Sequence, residues 1–176
     1  MNKIIEFPEQ NEFPSYANMY MEYTIKDGTL LTQLTQSLET TLKLIKSLPE
    51  EKLNYRYHKD KWSIKDILVH IIDDERIYCY RALAFARNDK TNFPGFEQDD
   101  YANNADTNKR SIANIINEYK AIRHATITLF DGFSEIALRR IGTANENNTS
   151  VRALGYHILG HELHHIEIIK KLYLKL

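Results

Sequence analysis

Along four stretches of the chain, apolar residues recur alternately three and four apart, and each stretch reads as one amphipathic helix. The first covers about 27–47, with Leu31, Leu34, Leu38, Leu42 and Ile45 in its stripe, and it stops before Pro49. The second covers 63–87, with Ile64, Leu68, Ile71, Tyr78, Ala82 and Phe85. It opens on Ser63 followed by Asp66, a capping box in which the two residues satisfy each other's backbone N–H groups. The third covers about 107–131, with Ile112, Ile115, Tyr119, Ile122, Thr126 and Leu129. The fourth covers about 149–173, with Leu154, Ile158, Ile168 and Leu172. At 1.5 Å per residue each is roughly 30–37 Å long. Helices of matched length with one apolar stripe each bury those stripes most simply as a four-helix bundle. The pattern predicts an all-α fold, with 1–176 as a single domain.

The connections differ in kind. Pro8 and Pro14 argue against a helix before Ser15, while Tyr16, Tyr20 and Tyr23 suit a short helix packed on the bundle. Residues 48–62 join the first two helices. Residues 88–106 make a longer link containing Phe93-Pro94-Gly95-Phe96 and then Glu97, Asp99 and Asp100. So long a link can carry the chain along the bundle, so that the second and third helices need not be antiparallel neighbours. It can also close over one end as a lid.

Composition removes several function classes. The 23 basic and 24 acidic residues leave a net charge of -1, which makes no case for nucleic acid or an anionic membrane as partner. A lone Cys79 cannot build an internal disulfide framework. Neither a signal peptide nor an apolar run near the roughly 18 residues of a membrane span is evident. The expectation is a soluble, cytoplasmic protein.

The candidate chemistry lies on the fourth helix, in His157-Ile-Leu-Gly-His161-Glu-Leu-His164-His165. Extending the stripe through 154, 158, 161, 165, 168 and 172 places His161 and His165 in the core row, one turn apart on one face. Two imidazoles at i, i+4 are what a helix offers to one metal ion, and the string satisfies H-E-x-x-H with Glu162. A metalloprotease is disfavoured because no strand is evident to support such a helix. His70, on the second helix, is the candidate third ligand. Asp73 and Asp74 are candidates to hold the far nitrogen of a ligating imidazole. Glu75 falls on the apolar row between Ile71 and Tyr78, so its carboxylate needs a cation, a metal or several hydrogen bonds. Three histidines with an open position form a catalytic rather than a structural metal site. That open position would serve a bound water or a substrate thiolate equally.

The plainer readings are boundary positions for His157 and His164, although His157, one turn before His161, could compete as a ligand, an end-cap of the core for Trp62, and packing for the aromatics of 93–101. Glu97, Asp99 and Asp100 read as solvated unless the link folds over the site. Arg76 and Arg81 could hold an anionic substrate group, but surface solvation is the simpler role for each.

Lys61-Trp62-Ser63-Ile64-Lys65-Asp66 leading to His70, then Asp73-Asp74-Glu75-Arg76, Arg81-Ala82-Leu83 and Gly160-His161-Glu162-Leu163-His164-His165 resemble the DinB-like superfamily. Phe93-Pro94-Gly95-Phe96-Glu97-Gln98-Asp99-Asp100-Tyr101 resembles a linker of one of its branches. The resemblance runs from about 13 to 174. It implies an up-down-down-up bundle and a metal triad at His70, His161 and His165, with zinc or nickel as the metal. It also implies a metal-dependent hydrolase or a transferase of low-molecular-weight thiols, acting on small molecules and often homodimeric. Asp74 and Glu75 are then the candidate catalytic carboxylates. The rival reading is a helical scaffold with a structural metal or none.

Overall fold

The computed structural model describes residues 3–176. Its bundle helices are α2 (Leu30–Lys46), α4 (Ile64–Ala86), α6 (Ile112–Asp131) and α8 (Val151–Ile168). Four one-turn or two-turn helices lie between and before them: α1 (Asn18–Met21), α3 (Glu50–Leu53), α5 (Gln98–Asn104) and α7 (Glu135–Leu138). Ser63 and Asp66 cap α4 reciprocally, as the sequence predicts. The predicted third helix is shorter than its stripe. Thr107 sits in a 3-10 turn with its hydroxyl on Asp66, Arg110 is extended, and Ser111 caps α6.

Side chains that touch across the bundle give its connectivity. Arg76 pairs with Glu118 at 2.6 Å, and Cys79 meets Thr126 at 3.1 Å, so α4 and α6 run parallel. Tyr78 stacks on His157 while His70 faces His165, so α4 and α8 run antiparallel. The packed pairs are α4 with α8, α4 with α6, α2 with α6 and α2 with α8, which sets α2 diagonal to α4. This is the up-down-down-up arrangement, and the 88–106 link is what allows two consecutive helices to be parallel.

The expectation of no strands is corrected. β2 (Ile141–Ala144) and β3 (Asn147–Ser150) form an antiparallel hairpin, and β1 (Asn92–Phe93) from the link pairs parallel to β2. The hairpin turns on Asn145 and Glu146, both with positive φ, the geometry that follows the natural twist of two strands. Gly142 has the ring of Phe85 where a Cβ would stand. β3 therefore takes the residues predicted to open the last helix, and Ser150 caps α8 at Ala153.

The last stripe is also corrected at its C-terminal end. Residues 169–174 close in a π turn, whose i→i+5 bonding inserts one residue and rotates the row. Ile169 and Tyr173 face the core instead, and Leu172 is 46% exposed. Before that turn α8 is buried on every side from Val151 to Glu162, because α1 covers the face that the other three helices leave open. Gly160 permits this: a Cβ there would stand 2.3 Å from the Tyr20 carbonyl oxygen.

The core falls into two apolar clusters. One gathers Leu30, Leu34, Phe85, Phe130 and Leu154, and the other Leu38, Ile45, Ile67, Ile115 and Ile169. Between them, at the level of residues 37, 75, 123 and 162, the buried side chains are polar.

Candidate metal centre

His70 from α4 and His161 and His165 from α8 converge in that polar layer. The Nε2 atoms of His70 and His161 are 3.1 Å apart, as are those of His165 and His161. One ring nitrogen from each of the three lies within 4.8 Å of the other two. The i, i+4 spacing on α8 and the antiparallel approach of α4 are enough to produce this. Both helices present a core-row position at the same height.

The donor set fits a divalent ion. Two imidazole nitrogens at about 2.0–2.1 Å from one ion, at angles near 95–110°, stand about 3.0–3.4 Å apart. Hydrogen bonding alone fits less well. His161 Nδ1 faces Asp74 Oδ2 at 3.4 Å, which makes it the protonated nitrogen and leaves Nε2 with one lone pair for two neighbouring rings. Burial lowers the pKa of all three imidazoles, to about 3 for His161 and about 2 for His165. The rings are therefore neutral at pH 7, the state in which a histidine can ligate.

Asp74, not Asp73, stands behind the cluster. It is buried and lies between His161 Nδ1 and His157 Nε2, the latter 3.5 Å away. Burial alone would raise its carboxyl pKa, but the facing His161 and His157 rings hold it well below the usual carboxylate range. His157, expected at a boundary, is buried and stacked on Tyr78 with centroids 3.8 Å apart, and it belongs to this outer ring of contacts. His164 is half-buried with its ring edge-on to Tyr20 and Tyr23. Trp62 does more than end the core, since its ring lies 4.7 Å from that of His70.

Two clefts flank the imidazoles. One, of about 270 Å³, is bordered by Tyr16, Tyr20, Phe96, Glu97, His70 and His161. The other, of about 310 Å³, is bordered by Tyr57, Trp62, Tyr173, Asp99 and His165. Gln98 borders both, so the 88–106 link does pass over the site. Arg81, expected at the surface, is buried and donates to the Pro94 carbonyl at 2.8 Å, which holds the link down. Arg76 is spent on Glu118 at the surface.

Glu75 is corrected. Its carboxylate accepts from Arg123 Nε at 2.9 Å, Arg123 Nη2 at 2.8 Å and Thr126 at 2.5 Å, so neither oxygen is left to orient a histidine or act as base. Glu162 is committed in the same way. It accepts from Arg123 at 2.7 Å, Ser37 at 2.8 Å, Thr41 at 2.7 Å and the Tyr119 hydroxyl. One residue on from His161 is about 100° round the helix, which turns Glu162 away from the imidazoles. The H-E-x-x-H string is present without the metalloprotease geometry. Arg123 was not singled out in the sequence, although it lies four residues after Tyr119 and three before Thr126, an inward position by the same spacing.

Fold and cluster together define the class: a four-helix bundle with a three-imidazole candidate metal centre at its waist. The chain belongs to the DinB superfamily, whose family model matches residues 33–169. Among solved structures it is similar to YfiT from Bacillus subtilis, described as a probable metal-dependent hydrolase with an unusual four-helix bundle topology. The two share 12% sequence identity over 94% of this chain and 93% of that one, with a TM-score of 0.63, a likeness of fold. No curated protein sequence matches this chain.

Proposed function

We propose that this protein is a metal-dependent enzyme acting on a small molecule, with His70, His161 and His165 holding one divalent ion, zinc or nickel. The observation that carries the reading is the convergence of ring nitrogens from three histidines on two helices, with His161 Nε2 at 3.1 Å from each of its two neighbours, a spacing that suits a shared ion. Such an ion supplies a hydroxide at neutral pH or stabilises a thiolate. The chain's own residues do the rest. Asp74 fixes the tautomer and aim of His161 from behind. Trp62 and Tyr20 cover the rings and exclude bulk water. Arg81 keeps the link over the site through Pro94. The description of YfiT favours hydrolysis. A second reading, transfer of a low-molecular-weight thiol to an electrophile, is favoured by the two clefts, one for each of two reactants on either side of the imidazoles.

Metal analysis of the purified protein beside His161→Ala tests the centre. Wild type should carry about one ion per chain and gain thermal stability from Zn²⁺ or Ni²⁺. If it holds no more metal than the variant and gains nothing on addition, the enzyme reading fails and the histidines are core residues of a scaffold. Panels of esters and amides, beside glutathione-like and bacillithiol-like thiols with electrophiles, then divide hydrolase from transferase.

A further inference from the structure

The cleft on the Tyr20 side has a character that metal binding does not require. Four aromatic rings border it, Tyr16, Tyr20, Tyr78 and Phe96, together with two carboxylates, Glu97 and Asp74, and no lysine or arginine. The cleft on the other side of Gln98 is mixed, with Lys61 opposing Asp60 and Asp99. We propose that the Tyr20-side cleft receives an ammonium group of the substrate, with Glu97 as its counter-charge and the rings of Tyr16, Tyr20 and Phe96 as its walls. This deepens the metal-enzyme reading and rests on it for the word substrate.

Aromatic faces carry negative potential and attract cations, more strongly where water is excluded. The neighbourhood already contains one such contact: the Arg81 guanidinium lies 5.1 Å over the ring of Tyr78. With His157 stacked on the same ring, Tyr78 is occupied; Tyr20 also meets His157, His161 and His164 edge-on and Phe96 packs on Tyr101, so Tyr16 is the most open of the walls. Asp74 lies beneath the floor, facing His161 Nδ1 at 3.4 Å and His157 Nε2 at 3.5 Å. Glu97, on the link at the mouth, is the carboxylate left for an incoming charge. Among the protein's own groups, an anionic substrate would meet two carboxylates and no lysine or arginine there. The ion that His70 and His161 would hold lies at the buried end, so the selection by sign of charge belongs to the mouth, at Glu97, and the volume of about 270 Å³ suits part of a small molecule.

The test uses benzyltrimethylammonium and benzenesulfonate as probes of similar size and opposite charge. They are titrated into metal-free protein and followed by amide shifts in NMR. The cation should perturb Tyr16, Tyr20 and Gln98 and bind about tenfold more tightly than the anion. Glu97→Gln and Tyr16→Leu, both at exposed positions, should each erase about threefold or more of that preference. Equal or reversed preference in wild type, shifts confined to another surface, or a preference untouched by both variants would overturn the proposal. Zinc uptake is measured separately on the same samples. Wild type that prefers the cation but takes no zinc upholds the cleft and sinks the metal centre. Wild type that takes zinc without any charge preference does the reverse.

Discussion

Two clusters of buried polar side chains meet back to back on α8, and they are built on opposite principles. On one side Arg123, fully buried, is bound by Glu75 and Glu162, whose oxygens also accept from Ser37, Thr41, Tyr119 and Thr126. Donors and acceptors are matched, with one guanidinium shared by two carboxylates. On the other side three imidazoles bring ring nitrogens to a common place, with a single carboxylate behind them. A satisfied buried network has no use for a ligand; one whose lone pairs face each other is incomplete without one. His161 and Glu162, adjacent in the chain, belong one to each. The ion pair grips the helix on its far face and so fixes where the imidazoles aim.

The comparison breaks most visibly at Arg123. Arg123→Ala strands two carboxylates in the core and should cost about 3–5 kcal/mol, read from urea unfolding. A loss under about 1 kcal/mol would mean that the network is not the closed unit described. On the other side of α8 the effect should have the opposite sign. Zinc at about a hundred times its Kd should stabilise the wild type by about 2.7 kcal/mol, measured by thermal unfolding, and should leave His165→Ala unchanged. Asp74→Asn keeps shape but loses the charge behind His161. Zinc affinity should fall about 10–100-fold by competition with a chelating dye.

A further effect is in pH. In metal-free protein, burial holds His161 near a pKa of about 3. The unfolded chain takes up that proton near pH 6.5, so over the window between, it binds more protons than the native state. Stability should therefore fall as pH drops from about 6.5 toward about 3, by up to about 1.4 kcal/mol per pH unit for this group. His161→Asn should flatten that slope, and a parallel slope in the variant would place the ring in contact with water.

Much of the bundle was legible because apolar periodicity and caps are local signals. Leu34, Ile45, Ile64, Phe85 and Leu154 are all buried as their spacing requires. The pair His161 and His165 was legible for the same reason, while His70 as third ligand rested on the expected packing of two helices and was reinforced by the family resemblance. The rest depends on partners distant in sequence. Glu75 has the cation its core position demanded, but that cation stands 48 residues away, on a residue type that is outward by default. The β2–β3 hairpin turns on Asn145 and Glu146 rather than a glycine, and β3 is all polar, so neither turn nor strand announces itself. The π turn after Ile168 inserts its extra residue without a break in composition.

The three-stranded sheet is small, yet it sets the height of the opening beside the histidines. β1 belongs to the link that roofs the cleft, and β2 and β3 lead directly into the helix that floors it. Roof and floor are thus hung from one clasp. The gap between Glu97 and His161 is governed by how much chain each side pays out from it, only two residues separating Phe93 from Phe96. Lengthening the chain at Pro94-Gly95 would lift the roof and leave the floor where it is, a way to widen this doorway without touching its hinges.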